Sequence, residues 1–181
     1  MAIVDCCCSS SSESSSEEIT QARAANEGSE TYEDANTQST PISVPVDTPT
    51  DLTNDGLGSG TTIVYAPTST TQIFNTTTNS FDFSSLTLGS LVDIQLDVDV
   101  ITTLPNQLVD IDLILDVGGA FHSIKFAREI LTEVGVNNIT RYRGFSINSL
   151  GRKNNPAKFT ILSPVLASVR VNSIFCKILK R

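Results

Sequence analysis

One histidine, four cysteines and two rows of aspartates are the residues of this 181-residue chain whose chemistry could serve catalysis or metal binding. His122 stands alone. Acyl transfer needs a nucleophile beside a base that a third group orients, and no Ser/His/Asp or Cys/His arrangement surrounds it. Cys6, Cys7 and Cys8 are adjacent and Cys176 is remote, which makes a poor disulfide framework. Zinc sites use ligand pairs a few residues apart plus a second pair elsewhere, and this set has neither. Asp93, Asp97 and Asp99, then Asp110, Asp112 and Asp116, invite a calcium reading because hard cations take several oxygens. Their alternation with apolar residues instead fits the solvent side of a sheet, where charge also discourages stray pairing. Gly56, Gly58 and Gly60 lack the lysine and helix of a phosphate loop. The expectation is no catalytic residue, no metal, no cofactor and no enzyme activity.

Two basic spots remain. In "RYRGF", Arg141, Tyr142 and Arg143 are candidate contacts for a ligand or a subunit; "GRKNN" (151–155) is the other. Sugar or nucleic-acid contact is one reading of such a patch, and charge pairing with the Asp strands is the other. "NTT" at Asn75 and "NIT" at Asn138 match the glycosylation sequon, which a non-secreted chain never presents to the enzyme.

The elements that must position these residues show period two. In "LVDIQLDVDVIT", Val92, Ile94, Leu96, Val98 and Val100 face one way and the acids the other. "LVDIDLILDVGG" repeats the device with Val109, Ile111, Leu113, Leu115 and Val117. Such tandem alternation predicts paired strands. "FDFSSLTLG" alternates Phe81 and Phe83. "AFHSIKFAREIL" fits a strand to about Arg128, followed by an irregular loop through "TEVGVNN". "ITRYRGFSI", "AKFTILS" and "VLASVRVNSIFCKILK" complete the set, and the last shifts phase near Asn172, which predicts a bulge. The fold class read from this is all-β: an antiparallel β-sandwich of the jelly-roll kind with an extended, largely irregular N-terminal arm.

Charge marks the arm. Residues 1–60 hold eleven acids and one base, while residues 61–181 hold nine acids and eleven bases. The expected organisation is an arm over 1–55, low-complexity over 1–16, a glycine-rich hinge over 56–60 and the sandwich over 61–181. Ser16 can cap a short helix through Ile19 and Ala22, too short to persist without a partner. In "PISVPVDTP", Pro41, Pro45 and Pro49 remove donors from one strand edge, leaving Ile42, Val44 and Val46 on one face. The segment reads as a strand for another chain's sheet edge, or as a proline-stiffened linker. Ile19, Ile42, Val44 and Val46 are thus the candidate docking residues. "MAIV" is too short for the apolar core of a signal peptide, no run approaches a membrane span, and acylation of Cys6–Cys8 would set acids against an anionic surface. The three cysteines are left without a role.

The span from about Thr61 to Arg181 resembles the small jelly-roll domains of tailed-phage virion proteins, which share the tumour-necrosis-factor-like topology. "FDFSSLTLGSLVDIQLDVDV", "LVDIDLILDVGG", "ITRYRGFSI" and "VRVNSIFCKILKR" carry the likeness. It implies a homotrimer in the virion, assembled in the host cytoplasm, that decorates or cements a capsid. Its partners would be the major capsid protein or other virion proteins, with no nucleic acid and no membrane. The alternative is a fibre or receptor- or glycan-binding head using Arg141, Tyr142 and Arg143 at its tip.

Overall fold

The chain alternates apolar and polar residues over its longest runs, and these become its longest strands. The computed structural model describes residues 26–181. It begins with β1 (Glu27–Glu33), one turn of helix α1 (Asn36–Ser39), β2 (Ile42–Val44) and β3 (Thr50–Asp51). Strand β4 (Thr62–Tyr65) and a small hairpin of β5 (Phe74–Asn75) and β6 (Ser80–Phe81) follow. The long strands are β7 (Leu91–Thr102), β8 (Gln107–Leu115), β9 (His122–Leu131) and β10 (Gly135–Ser146). A short α2 (Leu150–Asn154) leads to β11 (Lys158–Leu162) and β12 (Ala167–Leu179).

The larger sheet has the order β10-β7-β12-β1-β4, with β2 also paired to β12; the smaller has the order β3-β11-β8-β9. These pairs are nested. The β8–β9 hairpin lies innermost in the smaller sheet, β7 pairs with β10 in the larger, β3 with β11 in the smaller, and β1 and β2 with β12 in the larger. A long antiparallel ribbon wrapped so that alternate pairs fall in alternate sheets is a jelly roll. All-β antiparallel sandwich, as read from the sequence, is the observed class.

Between the sheets lies the core. Val92, Ile94, Leu96, Val98 and Val100 from β7 meet Val109, Ile111, Leu113 and Leu115 from β8, all buried. Aromatic rings tie the layers: Phe81 packs on Phe74 at 5.0 Å, Phe83 at 5.9 Å and Phe159 at 5.6 Å between centroids, and Phe159 on Phe126 at 4.8 Å. Offset and edge-on contacts of this kind add to area burial.

Three local expectations change. β9 runs on to Leu131 and β10 starts at Gly135, so the irregular segment shrinks to residues 132–134. A register shift opposite Ile111 and Asp112 lets both Phe126 and Ala127 turn inward. Asp116 does not face solvent with Asp110 and Asp112; it is buried in the left-handed region (φ 59°) just past β8.

The largest correction concerns residues 27–55, which belong to the sandwich rather than to an arm. β1 pairs with β12 over seven positions, from Glu27 opposite Leu179 to Glu33 opposite Ser173. β2 continues along the same strand, Ile42 opposite Val169 and Val44 opposite Ala167. Tyr32, Val44 and Leu52 are core residues. The glycine-rich segment is fastened: Gly58 N–H donates to the Glu33 carbonyl (2.9 Å) and Gly60 N–H to the Glu33 carboxylate (2.7 Å). A Cβ at either glycine would collide with Glu33, so the glycines serve close approach and not hinge motion. Residues 1–16 and Ile19 lie outside the described residues.

The expected bulge sits at Asn172, between Val171 opposite Val98 and Ser173 opposite Asp97. A bulge leaves ladder groups without partners, and here α1 supplies side chains instead. Thr37 Oγ1 accepts from Val171 N–H (2.8 Å), and Gln38 Nε2 donates to the Val171 carbonyl (3.2 Å) and to Asn172 Oδ1 (2.9 Å). Asp34 in turn accepts from Thr37 N–H (2.6 Å), while the Asp55 carboxylate accepts from Ala35 and Asn36 N–H groups at 2.9 and 3.0 Å. These carboxylates hold a one-turn helix too short to be stable alone.

Two outcomes follow from this build. Thr37→Val strands a buried N–H and should cost about 1–3 kcal/mol in chemical denaturation; an unchanged midpoint contradicts the plug. A chain of residues 26–181 should melt cooperatively, whereas one of 56–181 should not. The latter loses Tyr32, Val44 and Leu52, each worth roughly 1.5–3 kcal/mol of burial, from a total of about 5–15 kcal/mol.

Candidate interaction surfaces

Among the described residues, the docking candidates Ile42, Val44 and Val46 do not share a surface. Val44 is wholly buried and Ile42 packs against the core, so neither is free for another chain's sheet. β2 itself pairs along one edge, and that edge meets its own β12, while Val46 and Asp47 of the same segment meet Ser163. Val46 alone of the three is exposed, at 51%. Its neighbours are informative. Thr102 pairs with both Gly135 and Ala167, Gln107 pairs with Leu131, and Asp47 N–H donates to the Ser163 carbonyl (2.8 Å). The β7–β8, β9–β10, β11–β12 and β2–β3 turns therefore gather at one end of the sandwich. Exposed Leu104, Val134, Leu166 and Val46 each come from a different one of these turns. The only charged residues in those turns are Asp47 and Glu133.

Arg141, Tyr142 and Arg143 are not at a tip. They sit mid-strand in β10, opposite Leu96, Gln95 and Ile94 of β7. Period two splits them: Arg141 and Arg143 share the parity of buried Ile139, and Tyr142 points to the outer face. The Arg141 guanidinium pairs with Glu129 on β9. On the outer face, a hydrogen bond to Asp93 raises the Tyr142 phenol above its ordinary pKa. Lys125 pairs with Asp112 (3.0 Å) and Asp110 (3.5 Å), so the acidic and basic strands do meet as neighbours. Asp97 and Asp99 both accept from Asn138 Nδ2 at 2.9 Å, and Asp97 also from Asn172 Nδ2 at 2.8 Å. Among the described residues no group of three or more His, Cys, Asp or Glu is placed to hold a metal, and no helix is long and apolar enough to cross a membrane.

One polar cluster escaped sequence reading. Glu30 and Tyr32 alternate inward on β1, and Glu30 lies opposite Cys176 of β12. Glu30 Oε2 accepts from the Tyr32 hydroxyl and from Ile73 N–H (3.0 Å), while Oε1 is buried with no partner. Desolvation raises the Glu30 pKa against those two hydrogen bonds. Burial and the nearby Glu30 also push the Tyr32 phenol and the Cys176 thiol up. A glutamate in "SETYE" reads as surface, and only the β-period of Glu30 and Tyr32 signals otherwise. At the opposite end from the apolar turns, Asp116 accepts from Asn155 Nδ2 (2.5 Å) and Ala120 N–H (3.1 Å), which holds its carboxyl below the usual range and ties β8 to α2. Displaced pKa values often mark catalytic groups; here each accompanies a contact that joins strands or loops.

A pocket of about 380 Å³ is lined by Asn75, Thr78, Ser80, Asp82, Ser84 and Asn154 with Pro156. Phe81 and Phe83 point inward, so Ser80, Asp82 and Ser84 form the outward row of the same segment.

Glu30 gives a signed outcome. The folded state keeps it protonated above the ordinary value of 4.5, so it binds more protons than the unfolded chain across that window. Stability therefore falls as pH rises from 4.5 through the raised value. Glu30→Gln should resist denaturant better than the parent at pH 8, with the gap closing below pH 4.5. A less stable variant at pH 8 contradicts the buried-acid account.

No protein-family model matches the chain, and no curated protein shows a significant match to it.

Proposed function

We propose that the protein is a structural component of a tailed-phage virion, a decoration or cement protein that works by binding alone. The observation that carries this is the turn-rich end of the sandwich. Four aliphatic side chains, Val46, Leu104, Val134 and Leu166, stand exposed there on four separate turns. Single exposed apolar residues are ordinary, but a group of them at one end of a closed sandwich marks a contact surface. Apolar side chains spread over four turns suit a broad protein surface such as a shell of capsid subunits. The jelly-roll strand order supports the resemblance, and the displaced titratable groups hold the fold together. The copies associate as a homotrimer, burying further surface of a domain whose own interior is modest.

Docking thereby moves from a free arm to the end that bears Val46. The double variant Val46→Asp, Leu166→Asp should keep the parent's melting temperature and lose co-sedimentation with purified particles of the phage that encodes the chain. Retained attachment rejects this surface. Absence of the unmodified chain from those particles rejects the virion reading itself.

A further inference from the structure

Five strand edges bound the two sheets: β10, β4 and β2 in the larger, β3 and β9 in the smaller. Bare edges invite pairing with other chains, and proteins blunt them with charge, shortness or inward-pointing ionic residues. Four of the five follow that rule, β2 by being three residues long between Pro41 and Pro45. β9 carries Lys125, Arg128 and Glu129; β10 sets Arg141 and Arg143 on the parity of its buried residues; β3 is two residues long and its Asp51 is bound to Lys158. β4 breaks it. No charged residue occurs anywhere between Asp55 and Asp82. Ile63, Val64 and Tyr65 are 40%, 56% and 51% exposed. A register shift against β1 bulges β4 at Ile63 and Val64, and the body covers neither side chain. Its inner side pairs with β1 at Ser29–Tyr65 and Thr31–Thr62, and among the described residues its outer side pairs with nothing.

From this contrast we infer that β4 is a self-association edge, where two copies of the chain join their larger sheets about a two-fold axis. A two-fold sets a segment against its own reverse, so charges near the axis meet their own kind. The chain carries a net charge of −8, and the β4 region is a long stretch without any charge. It is where two copies approach without repulsion. A two-fold centred on the bulge between Ile63 and Val64 sets the exposed aliphatic side chains of one copy against those of the other. Burial of apolar surface of this kind is favourable. A four-residue edge buries far less than the roughly 1,200–2,000 Å² of a tight complex, so the contact is concentration-dependent. It is independent of the apolar turn end and of three-fold association.

Light scattering on the full chain, in reductant so that Cys6–Cys8 form no links, tests the inference over a concentration series. The weight-average mass of the parent should climb toward twice that of Val64→Lys, which stays flat and keeps the parent's melting temperature. Should Val64→Lys fail to melt cooperatively, Ile63→Lys, its exposed neighbour, is read in its place. Equal, concentration-independent masses for parent and variant overturn the inference, whether the edge is then covered by a different protein or by this chain's own residues. A mass ratio of two supports it whether the variant is a monomer or a trimer; a variant mass other than three chains counts only against the trimer.

Discussion

Strand β12 is the line along which the molecule is assembled. One edge pairs with β7 over nearly its whole length, and the other with β1 and β2 end to end. Both faces are thereby fixed: the inward row from Ala167 to Ile178 closes the core, and the outward row joins the polar face of β7. The weak point is the bulge at Asn172, where neighbouring strands cannot satisfy the ladder. α1 fills it with Thr37 and Gln38, and Asp34 and Asp55 hold α1 in place. Leaving such groups unpaired in a buried sheet is costly. A segment that reads as an appendage is thus the second wall of the terminal strand.

That arrangement decides which surfaces are left for function. With Ile42 and Val44 used internally, the N-terminal segment cannot offer them as a strand to a neighbour. The polar clusters are similarly committed: Glu30 and Tyr32 to the join between β1 and Ile73–Phe74, Asp116 to the join between β8 and α2, Asp55 to α1. What faces outward is apolar at the turn end and uncharged along β4. Both are suited to protein contact.

Much of the fold was legible because burial imposes period two. The alternation in β7 and β8 places nearly every inward residue correctly, and the phase shift in the last strand locates its bulge. The prolines at 41, 45 and 49 read as a strand with one usable edge, and β2 pairs along one. What they do not encode is whose edge it meets, because backbone pairing is the same within and between chains. The charge imbalance misled for a related reason: Glu27, Glu30, Glu33 and Asp34 make residues 27–34 look solvated, yet Glu30 is buried and Glu33 anchors the glycine segment. Gly58 and Gly60 carry the composition of a hinge but mark close approach. In "RYRGF" a compact basic motif in one dimension becomes two faces in three. The turn end was hidden because its residues lie far apart in the chain.

Hydrogen exchange on the full-length protein tests the central claim most directly. If the N-terminal strands wall β12, the amides paired across the β1–β12 and β2–β12 seams should exchange with the β7 amides, in one cooperative unit. Exchange of the amides of residues 27–44 within seconds, beside a protected β7, would show that they are a tether after all and that the sandwich stands without them.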